Sequence, residues 1–319
     1  MFRKLLLGLL GLGVIGGGGI VTGALMRYDR QREAPMPAIE ASDDPAVIER
    51  GKYLVWGPGH CAGCHGAIDQ LEEYENSATE IPLTGGFAFD IPPGHIVVPN
   101  ITQDEKTGIG GMSDGEIARA LRHGVGRDGT MLFPIMPFRH VADDDLTAII
   151  SYLRTVEPVE KQQEPTQLSM LGKILYAYVV EPGGPTEPVP ESVTPGPTVE
   201  YGKYLGESVA NCHGCHTNRD LATGEVIGPK LGGGLELEHR GKVFVIPNIT
   251  QGNGSRVNGW EESAFIARVR TGKPSAPGSP MPWAPLSKLS DDDLRALWKY
   301  LNSVDPVDND TGPSLKEES

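Results

Sequence analysis

The chain opens on an uncharged, largely apolar run from Leu5 to Met26, set between Arg3-Lys4 and Arg27. As a helix its roughly 22 residues would span about 33 Å, enough to cross a bilayer. This predicts an N-terminal transmembrane anchor within residues 1–33, with a cleaved signal peptide as the alternative. Further on, apolar positions recur at helical spacing in short stretches. Pro45 to Trp56 reads as one helix. Ser113 and Glu116 make a capping box for another that stops at Gly124, and Asn258 and Glu261 are expected to do the same later in the chain. Two more helices start at Asp143-Asp144-Asp145 and Asp291-Asp292-Asp293, where negative charge suits a helix N-terminus, and end before Pro158 and Pro306. Nothing alternates like a strand for long, so the pattern predicts a mainly α fold.

These elements occur twice. Gly51-Lys52-Tyr53-Leu54 recurs as Gly202-Lys203-Tyr204-Leu205, each glycine 10 residues before a cysteine, Cys61 and Cys212. Pro82 to Gly86 is answered by Pro229 to Gly233, and Val98-Pro99-Asn100-Ile101-Thr102 by Ile246-Pro247-Asn248-Ile249-Thr250. Met136-Pro137-Phe138 pairs with Met281-Pro282-Trp283, and Val156-Glu157-Pro158-Val159 with Val304-Asp305-Pro306-Val307. Matches in one order mean two tandem copies of a domain, at 34–160 and 198–307. The Pro/Gly-rich stretch 161–197 reads as a linker carrying a short apolar helix, Leu168 to Val180. That helix is too short to span a membrane and suits either docking on lipid or a partner, or ordinary packing. Residues 308–319 read as an acidic tail. Gly51 and Gly202 would let the first helix of each copy approach the last, where Tyr152 and Tyr300 stand.

Charge narrows the field. The 28 Lys and Arg against 42 Asp and Glu leave a net charge of −14, which excludes a nucleic-acid binder and points to basic docking partners. With 42 Gly and 27 Pro but 39% hydrophobic residues, the chain is loop-rich yet able to build a core.

Cys61-Ala62-Gly63-Cys64-His65 and Cys212-His213-Gly214-Cys215-His216 use all four cysteines. On a helical turn residues i and i+3 share a face, so both thiols reach the two vinyl groups of one haem, and the following histidine presents its imidazole to the iron. Zinc would need two pairs converging on one site, and a redox dithiol needs no following histidine. The spacing therefore predicts two covalently bound haem c groups, on Cys61, Cys64, Cys212 and Cys215, with His65 and His216 as iron ligands. Of the 8 methionines, Met136 and Met281 match across the copies, which assigns them to the far face of each iron; Met131 and Met112 are rivals in the first copy. His95, His123, His140 and His239 have no counterpart in the other copy, and His213 faces away inside its motif. The carbonyls of Pro82 and Pro229 are the expected acceptors for the far ring nitrogens of His65 and His216. Haem attachment takes place on the outer side of the cytoplasmic membrane, which puts the domains on the periplasmic side and Arg3-Lys4 inside.

These residues resemble class I cytochromes c, with an early C-x-x-C-H, a Pro-x-x-Gly turn, a late Met and crossing terminal helices. Pro99-Asn100-Ile101-Thr102 through Gly110-Gly111, Ser113 to Leu121, Gly129, and Leu132 to Phe138 look further like the cytochrome c subunits of membrane-bound alcohol, aldehyde and sugar-acid dehydrogenases. That resemblance implies two tandem class I domains that pass electrons from a dehydrogenase or quinol-oxidising donor to a cytochrome, an oxidase or quinone. The protein would be an electron carrier, not itself a catalyst. Those subunits carry three haems and typically a C-terminal anchor, where this chain has two motifs and an N-terminal apolar run; Met112 also stands where the family usually has tryptophan. Two alternatives remain at this point. A dihaem peroxidase needs one haem with an open distal face, so its halves should differ, while a haem-bearing subunit that mainly holds a larger complex together fits the anchor equally well.

Overall fold

A computed structural model describes residues 19–221 and 224–316. Most of the expected anchor lies outside the described residues. Residues 19–25 are helical, and among the described residues no helix is long and apolar enough to cross a membrane.

The fold is mainly helical, 35% helix against 8% strand, and its elements come in two corresponding sets. The first runs α1 (Pro45–Trp56), α2 (Ala62–His65), α3 (Leu71–Ser77), the hairpin β1 (Ala88–Ile91) and β2 (Gly94–Val97), α4 (Asp114–His123) and α5 (Asp143–Leu153). A short strand β3 (Gln167–Leu168) and helix α6 (Met170–Tyr178) follow. The second set is α7 (Val199–Tyr204), α8 (Cys212–His216), the hairpin β4 (Glu236–His239) and β5 (Lys242–Val245), α9 (Glu262–Arg270), α10 (Trp283–Leu286) and α11 (Asp291–Ser303). Here α7 runs on into a π-helical turn, Leu205–Val209.

Local chemistry accounts for the helix ends. Asp44 accepts the Ala46 N–H at 2.8 Å and Pro45 occupies the first turn, which starts α1. At α4 the Ser113 hydroxyl accepts the Glu116 N–H while the Glu116 carboxylate accepts the Ser113 N–H at 2.8 Å, and Gly124 ends the helix in the left-handed region. That backbone N–H holds the Glu116 carboxyl below its usual range. The box therefore adds stability above the ordinary glutamate pKa and loses it as pH falls through the lowered one. Ser113→Ala is expected to cost about 1 kcal/mol, measured by chemical denaturation of the haem-loaded protein. The counterpart expected at Asn258 does not form. The N-cap of α9 is Glu261, three residues later, so Glu261 rather than Asn258 takes the place of Ser113, and Trp260 that of Met112.

In each set the first helix crosses the last, α1 over α5 and α7 over α11. Leu54, Val55, Leu146 and Ile150 are fully buried at the first crossing, and Leu205, Leu294 and Ala296 at the second. These side chains belong to one apolar core that runs through both halves.

Two short hairpins are present that the periodicity did not announce. In β4–β5 the apolar alternation is only Leu235, Leu237 and then Val243, Val245, interrupted by Arg240 and Gly241 with positive φ at the turn. Parts of the segments read as linker and tail pair with these hairpins. Gln167 and Leu168 pair with His95 and Gly94 on the edge of β2, and Leu315 bridges Phe244 on β5, with the Val245 N–H donating to the Ser314 carbonyl at 2.9 Å. After the last helix of each set the chain thus returns to the hairpin, where Gln167–Leu168 and Leu315 each pair with an open edge. Beyond the first of them, the Asp143 and Asp144 N–H groups at the start of α5 donate to the carbonyls of Pro190 and Glu191, so part of the linker caps a helix.

Candidate functional site

Each C-x-x-C-H turn is launched by a residue held in the left-handed region, His60 (φ 37°) before Cys61 and Asn211 (φ 52°) before Cys212. This reverses the chain out of the first helix and starts a new short helix in which the two thiols share a face. The cysteines form no disulfide. Burial pushes the thiols up, to about 12 for Cys61, about 11 for Cys64 and about 12 for Cys212. Among the described residues no three His, Cys, Asp or Glu side chains converge, and the two pairs stay in separate sites.

The histidines are oriented from behind. The His65 ring Nδ1 donates to the Pro99 carbonyl at 2.9 Å and that of His216 to the Pro247 carbonyl at 2.8 Å, which leaves Nε2 of each ring free to ligate. Burial lowers the pKa of both rings, keeping them neutral and able to offer a lone pair. The acceptors are therefore not Pro82 and Pro229. The Pro82 carbonyl accepts the Ala67 N–H at 2.7 Å, and that of Pro229 the Gly232 N–H at 3.0 Å. What the Gly-Gly turns supply is their own N–H groups, since Gly85 donates to the His65 carbonyl at 2.7 Å and Gly233 to the His216 carbonyl at 2.8 Å. Both glycines have φ of +69°, and a Cβ on either would strike the carbonyl-bearing strand beyond. Gly85 thus corresponds to Gly233, and Pro82 to Lys230 rather than to Pro229.

The Pro-Asn-Ile-Thr repeat then makes sense as a unit. Pro99 and Pro247 fix the imidazoles, while the next residue ties the strand to the chain leaving the last helix. The Asn100 amide donates to the Val159 carbonyl at 2.8 Å, and that of Asn248 to the Val307 carbonyl at 2.6 Å. Both asparagines are buried, and each side-chain oxygen accepts an N–H two residues on, from Thr102 and Thr250.

In the first half a cavity of about 650 Å³ is bounded by both His65 and Met136. Val98, Pro99, Leu132 and Tyr176 are among its walls, and Met131, the rival methionine, lies on it too. An imidazole and thioethers around a chamber that is mainly apolar but also lined by Asp29, Lys173 and Gln167, with Cys61 and Cys64 in the adjoining turn, fit a haem. Met112 packs against the core and its carbonyl accepts from Arg154 at 2.5 Å. In the second half Met281 and Cys212 pack against the same core, and Met281 leads into α10 as Met136 leads into the 3₁₀ turn Phe138–His140. Three further histidines are engaged elsewhere: His95 with Asp90 at 2.7 Å, His123 with the Gly183 carbonyl at 3.0 Å, and His140 with the Thr186 hydroxyl at 3.2 Å. His239 ends β4. Sequence reasoning missed the cavity walls supplied by Tyr28, Leu168 and Tyr176. They come from segments assigned to anchor and linker, and no repeat match marks them.

Residues 200–301 match the family described as cytochrome c oxidase, cbb3-type, subunit III. Over 267 residues the chain is 31% identical to a dihaem cytochrome c-type protein of Cereibacter sphaeroides, covering 81% of this chain and 86% of that one. It is 29% identical over 312 residues to the fructose dehydrogenase cytochrome subunit of Gluconobacter japonicus, covering 93% of this chain and 60% of that protein. It is 28% identical over 301 residues to the alcohol dehydrogenase (quinone) cytochrome c subunit of Gluconobacter oxydans, covering 85% and 57%. The chain thus spans about three fifths of the length of the two dehydrogenase subunits. With the motif geometry above, these similarities place the chain in the family of dihaem c-type cytochromes that take part in electron transfer, related to the cytochrome subunits of fructose and quinone-dependent alcohol dehydrogenases.

Proposed function

We propose that this chain is a membrane-anchored dihaem electron carrier that works as a fixed subunit, taking electrons from a dehydrogenase or quinol-oxidising partner and handing them to a cytochrome, an oxidase or quinone. Its two class I cytochrome domains cover residues 34–160 and 198–307, extended by the return strands to 168 and 316. Cys61 and Cys64 hold one haem c and Cys212 and Cys215 the other, with His65 and Met136 on one iron and His216 and Met281 on the second. Bound there, haem supplies one-electron cycling between ferrous and ferric iron. The chain's residues do the rest. Pro99 and Pro247 keep each imidazole in one orientation, the thioethers favour the reduced state, and the apolar walls limit water and so the reorganisation that accompanies each electron.

The observation that carries this reading is the cavity shared by His65 and Met136, since an iron that both residues would hold would have no position left for a substrate. The subunit role is supported by relatives whose names make them cytochrome subunits of dehydrogenases. The purified chain is expected to carry two haems in a pyridine haemochrome assay, both low-spin, and Cys61→Ala with Cys64→Ala to lose one of them. A single haem in the intact chain, or a high-spin haem that turns over peroxide, would replace this reading with the peroxidase one.

A further inference from the structure

The repeated Gly-Lys-Tyr-Leu and Asp-Asp-Asp-Leu motifs hold tyrosines and aspartates that haem binding does not use. They meet across the boundary between the halves, each with the opposite copy. The Tyr53 hydroxyl donates to the Asp293 carboxylate and accepts the Ser290 N–H at 2.9 Å. The Tyr204 hydroxyl donates to the Asp145 carboxylate at 2.8 Å and accepts the Ala142 N–H at 3.3 Å. Tyr53 and Tyr204 are repeat equivalents, as are Asp145 and Asp293, and Ala142 and Ser290 are the N-caps of α5 and α11. Each half therefore caps the last helix of the other through one tyrosine, in a reciprocal arrangement.

Both carboxylates are only 4% exposed, which makes the contacts hard to replace with water. Asp145 is further held by Arg50, whose Nε and Nη2 each reach it at 2.8 Å while Nη2 also donates to the Tyr201 hydroxyl across the boundary at 3.2 Å. Burial works against the Arg50 charge, but Asp145 more than restores it. On the Asp293 side Tyr201 takes the place of Arg50, and the carboxylate accepts from Tyr53 in the first turn of α11, where the helix N-terminus favours negative charge. A third tie closes the same boundary, where Arg240 in the β4–β5 turn pairs with Glu75 of α3 at 2.8 Å, immediately downstream of the first haem motif.

We propose that Tyr53 and Tyr204 are positioning residues that clasp the two haem-bearing halves into one rigid unit with a single inter-haem geometry. The proposal rests on the dihaem reading for its purpose, though the clasp is a property of the chain itself. Tunnelling rates fall steeply with separation, so a carrier that passes electrons between its own haems gains from a fixed spacing. The helices capped by the tyrosines are those that cross the helices leading into the C-x-x-C-H turns. The clasp therefore orders both haem platforms together.

The test uses the haem-loaded full chain with Tyr53→Phe, Tyr204→Phe and the double variant. Hydrogen exchange is read at the Ser290 and Ala142 amides, and haem–haem distance by pulsed EPR of the ferric protein. A hydrogen bond to a buried carboxylate is strong enough that each single variant should speed exchange by about tenfold or more. Because one interface opens as a unit, Tyr53→Phe is expected to speed exchange at Ala142 as well as at Ser290. The double variant should broaden a narrow distance distribution while the absorption spectrum stays unchanged. Faster exchange confined to the amide beside the substituted tyrosine, or an unaltered distance distribution in the double variant, would overturn the clasp and leave two local helix caps; the single variants decide this even where the double does not fold. A haem count other than two would instead overturn the dihaem assignment, with the exchange data still reporting on the clasp.

Discussion

Met136→Ala is expected to leave the first haem covalently attached and to lower its reduction potential by on the order of 100 mV or more, a fraction of the ~0.8 V that axial ligation spans. The cysteines carry the covalent attachment, so loss of the distal sulfur does not release the group. What is lost is a soft thioether that stabilises ferrous iron. Met136 shares its cavity with His65, and its Met-Pro sequence is repeated at Met281-Pro282. Met281→Ala should therefore lower the second potential in the same way, with a low-spin to high-spin change at one haem in each variant. Redox titration followed by absorption spectroscopy resolves the two. Met131→Leu is the informative control, because Met131 lies on the same cavity. A potential that moves with Met131 and not with Met136 would transfer the ligand assignment.

The parts of this molecule that were legible in the sequence are those encoded by neighbours in the chain. The helical pattern opening at Pro45, the Ser113/Glu116 box and the two Asp triplets each mark a helix start from within a few residues, and all four helices start where those residues place them. The C-x-x-C-H motif is local for the same reason. The carbonyl that orients His65 comes from Pro99, 34 residues away, and the match of Pro99 with Pro247 was visible without its meaning. Counting from the turn prolines put the second Gly-Gly turn one residue out of register, because Pro229 precedes the position that Pro82 occupies. The hairpins were hidden by four-residue strands, too short for alternation to stand out. The return strands at 167–168 and 315 have no signal of their own and are made by the edge they cover. The tyrosine clasp joins residues 240 apart in sequence and could be found only once the halves were docked.

Gly51→Ala and Gly202→Ala should each destabilise the protein by about 3 kcal/mol, near the upper end of the usual overpacking cost. On an open helix the same change would act in the opposite direction, since alanine is favoured over glycine by about 1 kcal/mol. Packing decides the sign here. A Cβ at Gly51 would overlap the Ala148 carbonyl oxygen and lie 2.8 Å from the Tyr152 Cβ, and one at Gly202 would overlap the Ala296 carbonyl and lie 2.9 Å from the Tyr300 Cβ. Both obstacles are helix backbone, which cannot swing aside as a side chain would, so α1 must lift from α5, or α7 from α11. Lifting α1 strips cover from Leu54 and Val55 and loosens the Trp56 Nε1 to Tyr152 hydroxyl bond of 2.6 Å. It also shifts Tyr53, whose hydroxyl must still reach Asp293 in the other half. Thermal unfolding of the haem-loaded variants should fall by about 5 °C or more. Wild-type stability in both would mean that the helices cross farther apart than the glycines require, and the close contact would then have no part in fixing the haem platforms.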